Sequence, residues 1–588
     1  MTIIGMGTEI ADGNDGQPPA TSPNRCLVSQ LADTSGWKVL TQISLLAVIA
    51  ATLVYLLVWI MAMSSTSLWG DEFGSIGSYS SKGPLKVMTD YKAPKNHVFF
   101  NLINSVLPER QSYAPLRARL ASIVAVLGTV AVAVWFFRKS QLDLAIPVFL
   151  GLWVLNKEAM HLSLQARGYG LLGLFAIGST VFLWSFLKCR DWRMLAGAVG
   201  LSVLGIYTVP AYVFFCTPLL ATALCLQLTW RNVAVCAGGG LATVLLYLPI
   251  LGQMAKSAAG FAAKYPGERT FDSWRGIETF LRTYFFPDVQ VALLGSASIT
   301  LAFLALLWVK DRLSAKQLTV VTAGIVGFFL AALVMVSLPM RVASFMAVPV
   351  ALALSLGLAA SVRLWKPVKA VAIPLACAFF TLVAVSRCLA FSFTPNEDWF
   401  TAVRASELIG GPTRKVHLHY NAKNMRHYLP KDLAVRESTA EFAWKNSEVY
   451  VDTGTTWAGE SDREKLPACA SDQIIDLSIS GQHKTIHLSF LGHPIILIDG
   501  LSATIPPQTE PVILVVTASP EVNSSLRLEH FDGAAWRNVP DILRVREATL
   551  ARVPASQSIE KFRVGLPENV PPDGVNLRAV ALSRARSQ

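Results

Sequence analysis

Up to residue 391 the chain alternates between long apolar blocks and short polar connectors, and beyond that point the pattern changes. The blocks cover about 38–62, 116–136, 142–156, 169–187, 194–209, 210–229, 232–251, 291–309, 318–337, 342–362 and 369–391. A helix needs roughly 20 apolar residues to cross a hydrocarbon core about 30 Å thick. The pattern therefore predicts a polytopic α-helical membrane protein with about eleven transmembrane helices. The connectors set its orientation. Arg138 and Lys139 follow the second block, Lys188, Arg190 and Arg193 the fourth, and Arg231 the sixth. Lys310, Arg312 and Lys316 follow the eighth, and Arg363, Lys366 and Lys369 the tenth. Cytoplasmic loops concentrate Lys and Arg, so every even-numbered exit is expected inside, with the N-terminus cytoplasmic and the C-terminal region outside. The third block is short and holds Pro147, and only Tyr207-Thr208-Val209-Pro210 divides the fifth from the sixth. These two are kept separate, because merging them would turn the later basic loops outward.

Residues 1–36, rich in Gly, Pro, Asp, Asn and Ser, read as a disordered cytoplasmic tail rather than a cleavable signal. Residues 37–391 form the membrane domain, with outer loops at 63–115, 157–168 and 252–290. Residues 392–475 mix a helical signal with short strand-like runs and predict a small extracytoplasmic α/β unit. Residues 476–588 alternate strongly between Pro and Gly turns, as in Pro511-Val512-Ile513-Leu514-Val515-Val516-Thr517, and predict a β-rich, sandwich-like region. In the α/β unit His417 and His419 fall on one strand face, and without a third ligand they read as structural.

Composition supports this division. The chain is 53% hydrophobic and 15% charged, with a mean hydropathy of +0.45, whereas soluble domains hold about a quarter charged residues. The net charge of +12 is explained first by topology and second by a positive cleft for a phosphate-bearing substrate. Nucleic acid is not an expected partner, since no basic run is interleaved with aromatics on a soluble face. The eight cysteines show no CxxC or Cys/His cluster, so neither a disulfide framework nor a zinc site is indicated.

The candidate chemistry gathers at the outer loops. The first opens Trp69-Gly70-Asp71-Glu72-Phe73. Two acids just beyond a span are either simply solvated or placed for work at the membrane surface, with one as general base and its neighbour orienting a ligand or a metal. A divalent cation thus stays open as a cofactor, but no metal ligand is assigned. Farther along, His97, Asn101 and Asn104 fall at i, i+4 and i+7 on one helical face. That amphipathic helix either rests on lipid or covers a cavity with its polar face inward. Arg167, where the chain re-enters the bilayer before Tyr169, is costly unless paired; it either snorkels to lipid phosphate or binds a substrate phosphate. Arg341 is read the same way. His161 reads as an interfacial polar residue. Lys82, Lys86, Lys92 and Lys95 in the first loop, and Lys256, Lys264, Tyr265, Arg269, Trp274 and Arg275 in the third, suit either solvation or contact with phosphate and sugar.

Taken in order, these segments resemble the GT-C superfamily of membrane glycosyltransferases, and within it the protein O-mannosyltransferase and aminoarabinose transferase branch. The resemblance rests on Trp69-Gly70-Asp71-Glu72, Asn96-His97-Val98-Phe99-Phe100, Arg119-Leu120-Ala121-Ser122, Ala166-Arg167-Gly168-Tyr169 and Tyr207-Thr208, and it spans roughly residues 40–390. Glu397-Asp398-Trp399 looks like the start of the outer domain of some bacterial members. The chain departs at Gln165, where relatives often carry Glu, at Val98-Phe99, where prolines are common, and at Arg341-Val342, where Arg-Tyr is frequent.

The resemblance implies an inverting transfer of a hexosyl or pentosyl group from a polyprenyl-phosphate donor to an extracytoplasmic lipid, glycan or protein acceptor. In that reading Asp71 is the base and Glu72 supports it, while Lys95, His97, Arg167, Tyr169 and Arg341 bind substrate. Membrane lipids are the remaining partner, and the bacterial inner (plasma) membrane is the expected location. Two alternatives stand beside it: a transporter or flippase for a lipid-linked saccharide, and an assembly factor acting through its tail. A transporter is expected to place ionisable groups near the midplane, whereas here they gather at one face.

Overall fold

The computed structural model describes residues 35–91, 96–106, 114–264, 274–284, 312–334, 340–363, 366–393 and 398–410, and beyond these the strands and turns named below. Lys92, Lys95, Tyr265, Arg269, His419 and the block at 291–309 lie outside the described residues. Among the described residues six helices are long and apolar enough to cross a membrane: Gly36–Ser65, Pro115–Lys139, Tyr169–Cys189, Ser314–Val334, Arg341–Arg363 and Val371–Leu389. Trp230–Tyr247 and Leu251–Ser257, which meet at 77°, add a seventh if they form one broken span.

Among the described residues six or seven of the eleven expected blocks thus have the length of a full span, and three others form shorter helices. The third block is the helix Ala145–Val154, whose second half is π-helical, and ten residues at 1.5 Å each reach only about 15 Å. Its side chains are mostly buried by neighbouring helices, as befits an apolar run of that length. The fifth and sixth blocks are the shorter apolar helices Trp192–Thr208 and Pro210–Leu226.

Polar contacts between helix ends sort the termini onto two faces. At one, Arg138 donates to the Gln42 side chain at 2.8 Å, Gln227 to the Leu187 carbonyl at 3.0 Å and Gln317 to the Trp184 carbonyl at 3.1 Å. This face carries Arg138, Lys139, Lys188 and Arg190. At the other, the Tyr91 N–H donates to the Gln253 side chain at 2.8 Å and Asn156 to the Tyr284 carbonyl at 2.6 Å. Tyr247 Oη also donates there to the Ile206 carbonyl at 2.5 Å. The chain thus climbs to this face at Ile206 and returns to the basic face by Gln227.

The segment 157–168 is not an open loop. Its helix Lys157–Leu164 buries Ala159, Met160, Ser163 and Leu164. His161 is buried too and stacks on Trp59 with ring centres 6.2 Å apart.

The C-terminal region contains three five-stranded sheets among the described residues. In the first, Val416–Leu418 lies between Val435–Glu437 and Val449–Gly454, parallel to both. The strands Thr485–Leu491 and Ile474–Ser480 then continue it antiparallel. This hairpin, which the alternation assigns to the β-rich region, thus extends the α/β unit instead. His417 is fully buried in its strand.

The other two sheets are antiparallel. One includes Arg527–Phe531 against Glu560–Gly565, the other Ala548–Val553 against Val512–Thr517. Val512, Leu514 and Val516 share a core with Leu528, Phe562 and Val564 of the facing sheet. Ile513 and Val515 join the larger core with Trp399 and Ala402. Burial on both faces accounts for the unbroken apolar run in this strand. The region meets the membrane domain at the non-basic face, where the Trp399 N–H donates to Ser67 Oγ at 3.1 Å and the Leu68 N–H to Tyr428 Oη at 2.8 Å.

Candidate active site

Trp69 caps the helix Gly70–Ser78, and its N–H donates at 2.8 Å to Oε2 of Glu72, the third helical residue and the acid of a capping box. This fixes Asp71 and Glu72 on the first turn, where the helix dipole favours negative charge. Glu72 is fully buried. Arg119 grips it with two prongs, Nε to Oε1 at 2.9 Å and Nη2 to Oε2 at 2.6 Å, and the Ala166 N–H adds a donor at Oε1. The same guanidinium donates to the carbonyls of Met63, Thr66 and Ser67, capping the end of the first span. Burial works to raise the Glu72 carboxyl, but Arg119 and the Trp69 and Ala166 N–H groups outweigh it and hold the pKa below the ordinary value. Glu72 is therefore an ionised, saturated anchor.

Asp71 has a different setting. Its Oδ2 receives Arg167 Nη1 at 2.9 Å and Arg341 Nη1 at 3.1 Å. Arg167 is buried, whereas the Arg341 side chain is 39% exposed. Arg167 stays charged: burial opposes this, but Tyr169, Asp71 and Glu72 more than offset it. Arg341 thus comes from far along the chain to join a cluster that, among the described residues, holds three guanidiniums and two carboxylates, with one positive charge in excess.

His97 closes the other side. The Gly168 N–H donates to its Nδ1 at 3.0 Å, which assigns the ring proton to Nε2. Nε2 lies 3.0 Å from Arg167 Nη2, so two donors face each other with no acceptor between them. Burial, and then Arg167 and Arg341, push the imidazole well below its ordinary pKa against the pull of Asp71, and the ring is neutral. Tyr169 stands edge-on to His97 at 5.1 Å, and its ring lies 5.1 Å from the Arg167 guanidinium. The Tyr169 hydroxyl, Arg167 Nε and both amide atoms of Gln165 are buried without a hydrogen-bond partner among the described residues. Buried polar groups are nearly always satisfied, so this concentration of unsatisfied atoms marks a place for a polar ligand.

The frame is tight. Ser122 Oγ donates to the carbonyls of Gln165 and Arg167 at 2.6 and 2.9 Å, so the Arg119–Ser122 stretch holds both halves of the site. A Cβ on Gly168 would lie 2.3 Å from Thr208 Cγ2 and 3.1 Å from His97 Nδ1, and one on Gly170 would lie 2.6 Å from the Ser163 carbonyl. The helix Val98–Asn104 turns its polar face inward. Asn101 Oδ1 accepts from Ser75 and Ser80 at 2.8 and 2.9 Å, and Asn104 donates to the Ala118 carbonyl at 3.0 Å.

The C-terminal region supports this same helix turn. Phe73 stacks on His427 at 5.6 Å and meets Tyr428 edge-on at 5.5 Å. Burial and Arg426 lower His427 to a pKa of about 4, so that ring is neutral as well.

The structure thus brings together Asp71, Glu72, His97, Arg167, Tyr169 and Arg341 of the expected set, while Lys95 lies outside the described residues. Lys86 is engaged by Asp90 at 2.7 Å. Arg119, Ser122 and Gln165 are the members that sequence reasoning did not assign. The available signal was a cation four residues inside an apolar helix, which is costly without a partner. A divalent cation does not fit here, since Glu72 is saturated and Asp71 faces two guanidiniums. No group of three or more metal-ligating side chains occurs among the described residues.

No protein-family model matches the chain, and no curated protein matches it in sequence. Among solved structures it is similar to ArnT from Cupriavidus metallidurans, in crystal structures bound to undecaprenyl phosphate (TM-score 0.42) and in the apo state (TM-score 0.44). Both are 12% identical and cover 75% of this chain and 97% of ArnT. It is also similar to the cryo-EM structure of arabinosyltransferase EmbB from Mycobacterium smegmatis, at 10% identity and a TM-score of 0.41, over 97% of this chain and 66% of EmbB.

Proposed function

We propose that the chain is an inverting glycosyltransferase that moves a sugar from a polyprenyl-phosphate donor to a hydroxyl acceptor on the extracytoplasmic side, with Asp71 as general base. The observation that carries this reading is the excess positive charge beside Asp71, lined by buried donors with nothing to bind. A phosphate supplies the missing acceptor for Arg167 Nη2 and His97 Nε2–H, which now face each other at 3.0 Å. The polyprenyl carrier and the sugar chemistry come from the sequence resemblance. The outward orientation is supported by the basic residues at the opposite face.

In the reaction the acceptor oxygen attacks the anomeric carbon while its proton passes to Asp71. The bond from that carbon to the phosphate oxygen breaks, and polyprenyl phosphate leaves with the electron pair. The phosphate gains one negative charge on the way, so Arg167 and Arg341 bind the transition state more strongly than the ground state. Both arginines hold Asp71 Oδ2. Donor binding draws the more exposed Arg341 toward the phosphate and raises the basicity of the carboxylate it leaves. Glu72 holds the helix turn and, through the Ala166 N–H, the Arg167 loop.

Membranes containing the protein, supplied with a polyprenyl-phosphate sugar labelled in the sugar, are expected to form a glycoside of opposite anomeric configuration to the donor. Translocation of the intact carrier lipid without bond exchange would instead establish the flippase alternative.

A further inference from the structure

We infer that the membrane domain holds a second lipid site, for one acyl chain of an anionic phospholipid in the leaflet at the basic face, remote from Asp71. A cavity of about 490 Å³ runs between the helices Pro115–Lys139, Tyr169–Cys189 and Trp192–Thr208. On the middle helix Leu174, Gly178, Val181 and Ser185 line it at helical spacing, forming one continuous stripe. The eleven steps from Leu174 to Ser185, at 1.5 Å each, make that stripe about 16 Å long, close to half of the hydrocarbon thickness of about 30 Å. That is the depth of one leaflet.

The direction of the groove follows from its ends. Lys139, Ser185 and Met194 lie toward the basic face, and Val132, Leu174 and Leu201 lie deeper on the same three helices. Trp135 is 54% exposed and Phe182 37% exposed, so the groove opens sideways to lipid. Glycine at position 178 brings Leu201 close, since a Cβ there would lie 2.6 Å from its Cδ1, and this sets the floor.

Charge decides the occupant. The exposed Lys139 sits at the mouth with its ammonium 5.0 Å from the Trp135 ring centre, and exposed Lys188, Arg190 and Arg193 stand at the ends of the adjoining helices. This is a cationic collar at headgroup level above an apolar slot, and it suits an anionic headgroup whose chain enters from the same leaflet. A polyprenyl tail whose phosphate lies at the Asp71 face would enter from the opposite end and leave the collar unused.

Native mass spectrometry of the full-length protein, titrated with phosphatidylglycerol or phosphatidylcholine of equal chain length, tests this. The wild type is expected to prefer phosphatidylglycerol by roughly fivefold, the factor one basic residue supplies near an anionic surface. Lys139→Glu, at an exposed position, removes that preference, and Ser185→Phe lowers binding of both lipids by filling the slot. Equal binding of the two lipids to the wild type overturns the proposal, as does binding that neither substitution alters. Stronger retention of polyprenyl phosphate that Ser185→Phe abolishes would overturn it too, by reassigning the groove to the donor.

Discussion

Arg119 and Glu72 form a buried two-pronged ion pair, with Nε–Oε1 at 2.9 Å and Nη2–Oε2 at 2.6 Å, and this pair sets the frame in which Asp71 works. Removing one partner of such a pair leaves an uncompensated buried charge and costs about 3–5 kcal/mol. Arg119→Met is therefore expected to lower the thermal unfolding midpoint in detergent sharply and to reduce the folded yield. Arg119→Lys should not rescue it, because an ammonium cannot reproduce the planar fork that also caps Met63, Thr66 and Ser67.

His97 predicts a pH dependence of stability. Its folded pKa lies well below the ordinary 6.5, so the unfolded chain binds a proton that the folded protein refuses. The contribution is complete above about pH 6.5 and is lost as the pH falls below it. Glu72, also depressed, adds a second loss that begins only below its ordinary value of 4.5. His427, lowered to about 4, adds to the same decline, so unfolding midpoints measured from pH 7.5 to 5 should decline in the wild type, less in His97→Gln, and least when His427→Gln is added.

The glycines beside Arg167 are spatial requirements. A methyl at position 170 meets the Ser163 carbonyl at 2.6 Å, so Gly170→Ala is expected to cost about 1–3 kcal/mol through overpacking. Gly168→Ala presses on His97 Nδ1 and Thr208, and it should lower transfer more than stability. Thermal melts and initial rates on the same preparations separate the two effects.

The C-terminal region is expected to matter to the site through one hydrogen bond and one ring stack. Tyr428→Phe removes the acceptor of the Leu68 N–H, at a cost of about 1 kcal/mol. Phenylalanine keeps the ring that meets Phe73 edge-on, so the loss is confined to the Leu68 tie, three residues from Asp71, and the rate should fall modestly while the donor KM stays near that of the wild type.

The sequence made the charges legible and left their partners obscure. Asp71, Glu72 and Arg167 stood out because ionised groups beside apolar spans are expensive, and the basic connectors correctly gathered the helix ends that Gln42, Leu187 and Trp184 share with their partners. The pairing of Arg341 with Asp71 was not readable, since nothing local links positions so far apart. The role of Arg119 is not legible either, because its partner Glu72 sits on another helix. The count of spans failed at Ala145–Val154 because hydropathy registers apolar side chains alone, and protein neighbours bury this helix as effectively as lipid would. The pairing of the hairpin at 474–491 with Val449–Gly454 is not legible, because alternation reports pleating and says nothing of the strand alongside.

Arg341 tests the idea that donor phosphate and Asp71 compete for the same guanidinium. Arg341→Met is expected to raise the donor KM severalfold and to lower kcat, with little loss of stability because the side chain is partly exposed. Arg167→Met, at a buried position, should impair both folding and transfer.

The most direct measurement is the rate of sugar transfer from a polyprenyl-phosphate donor by Asp71→Asn, in membranes where its level and unfolding midpoint match the wild type. A lost general base predicts a fall of about 10²- to 10⁴-fold with donor binding preserved. A folded Asp71→Asn protein that transfers sugar at the wild-type rate would contradict the assignment of Asp71 as the base.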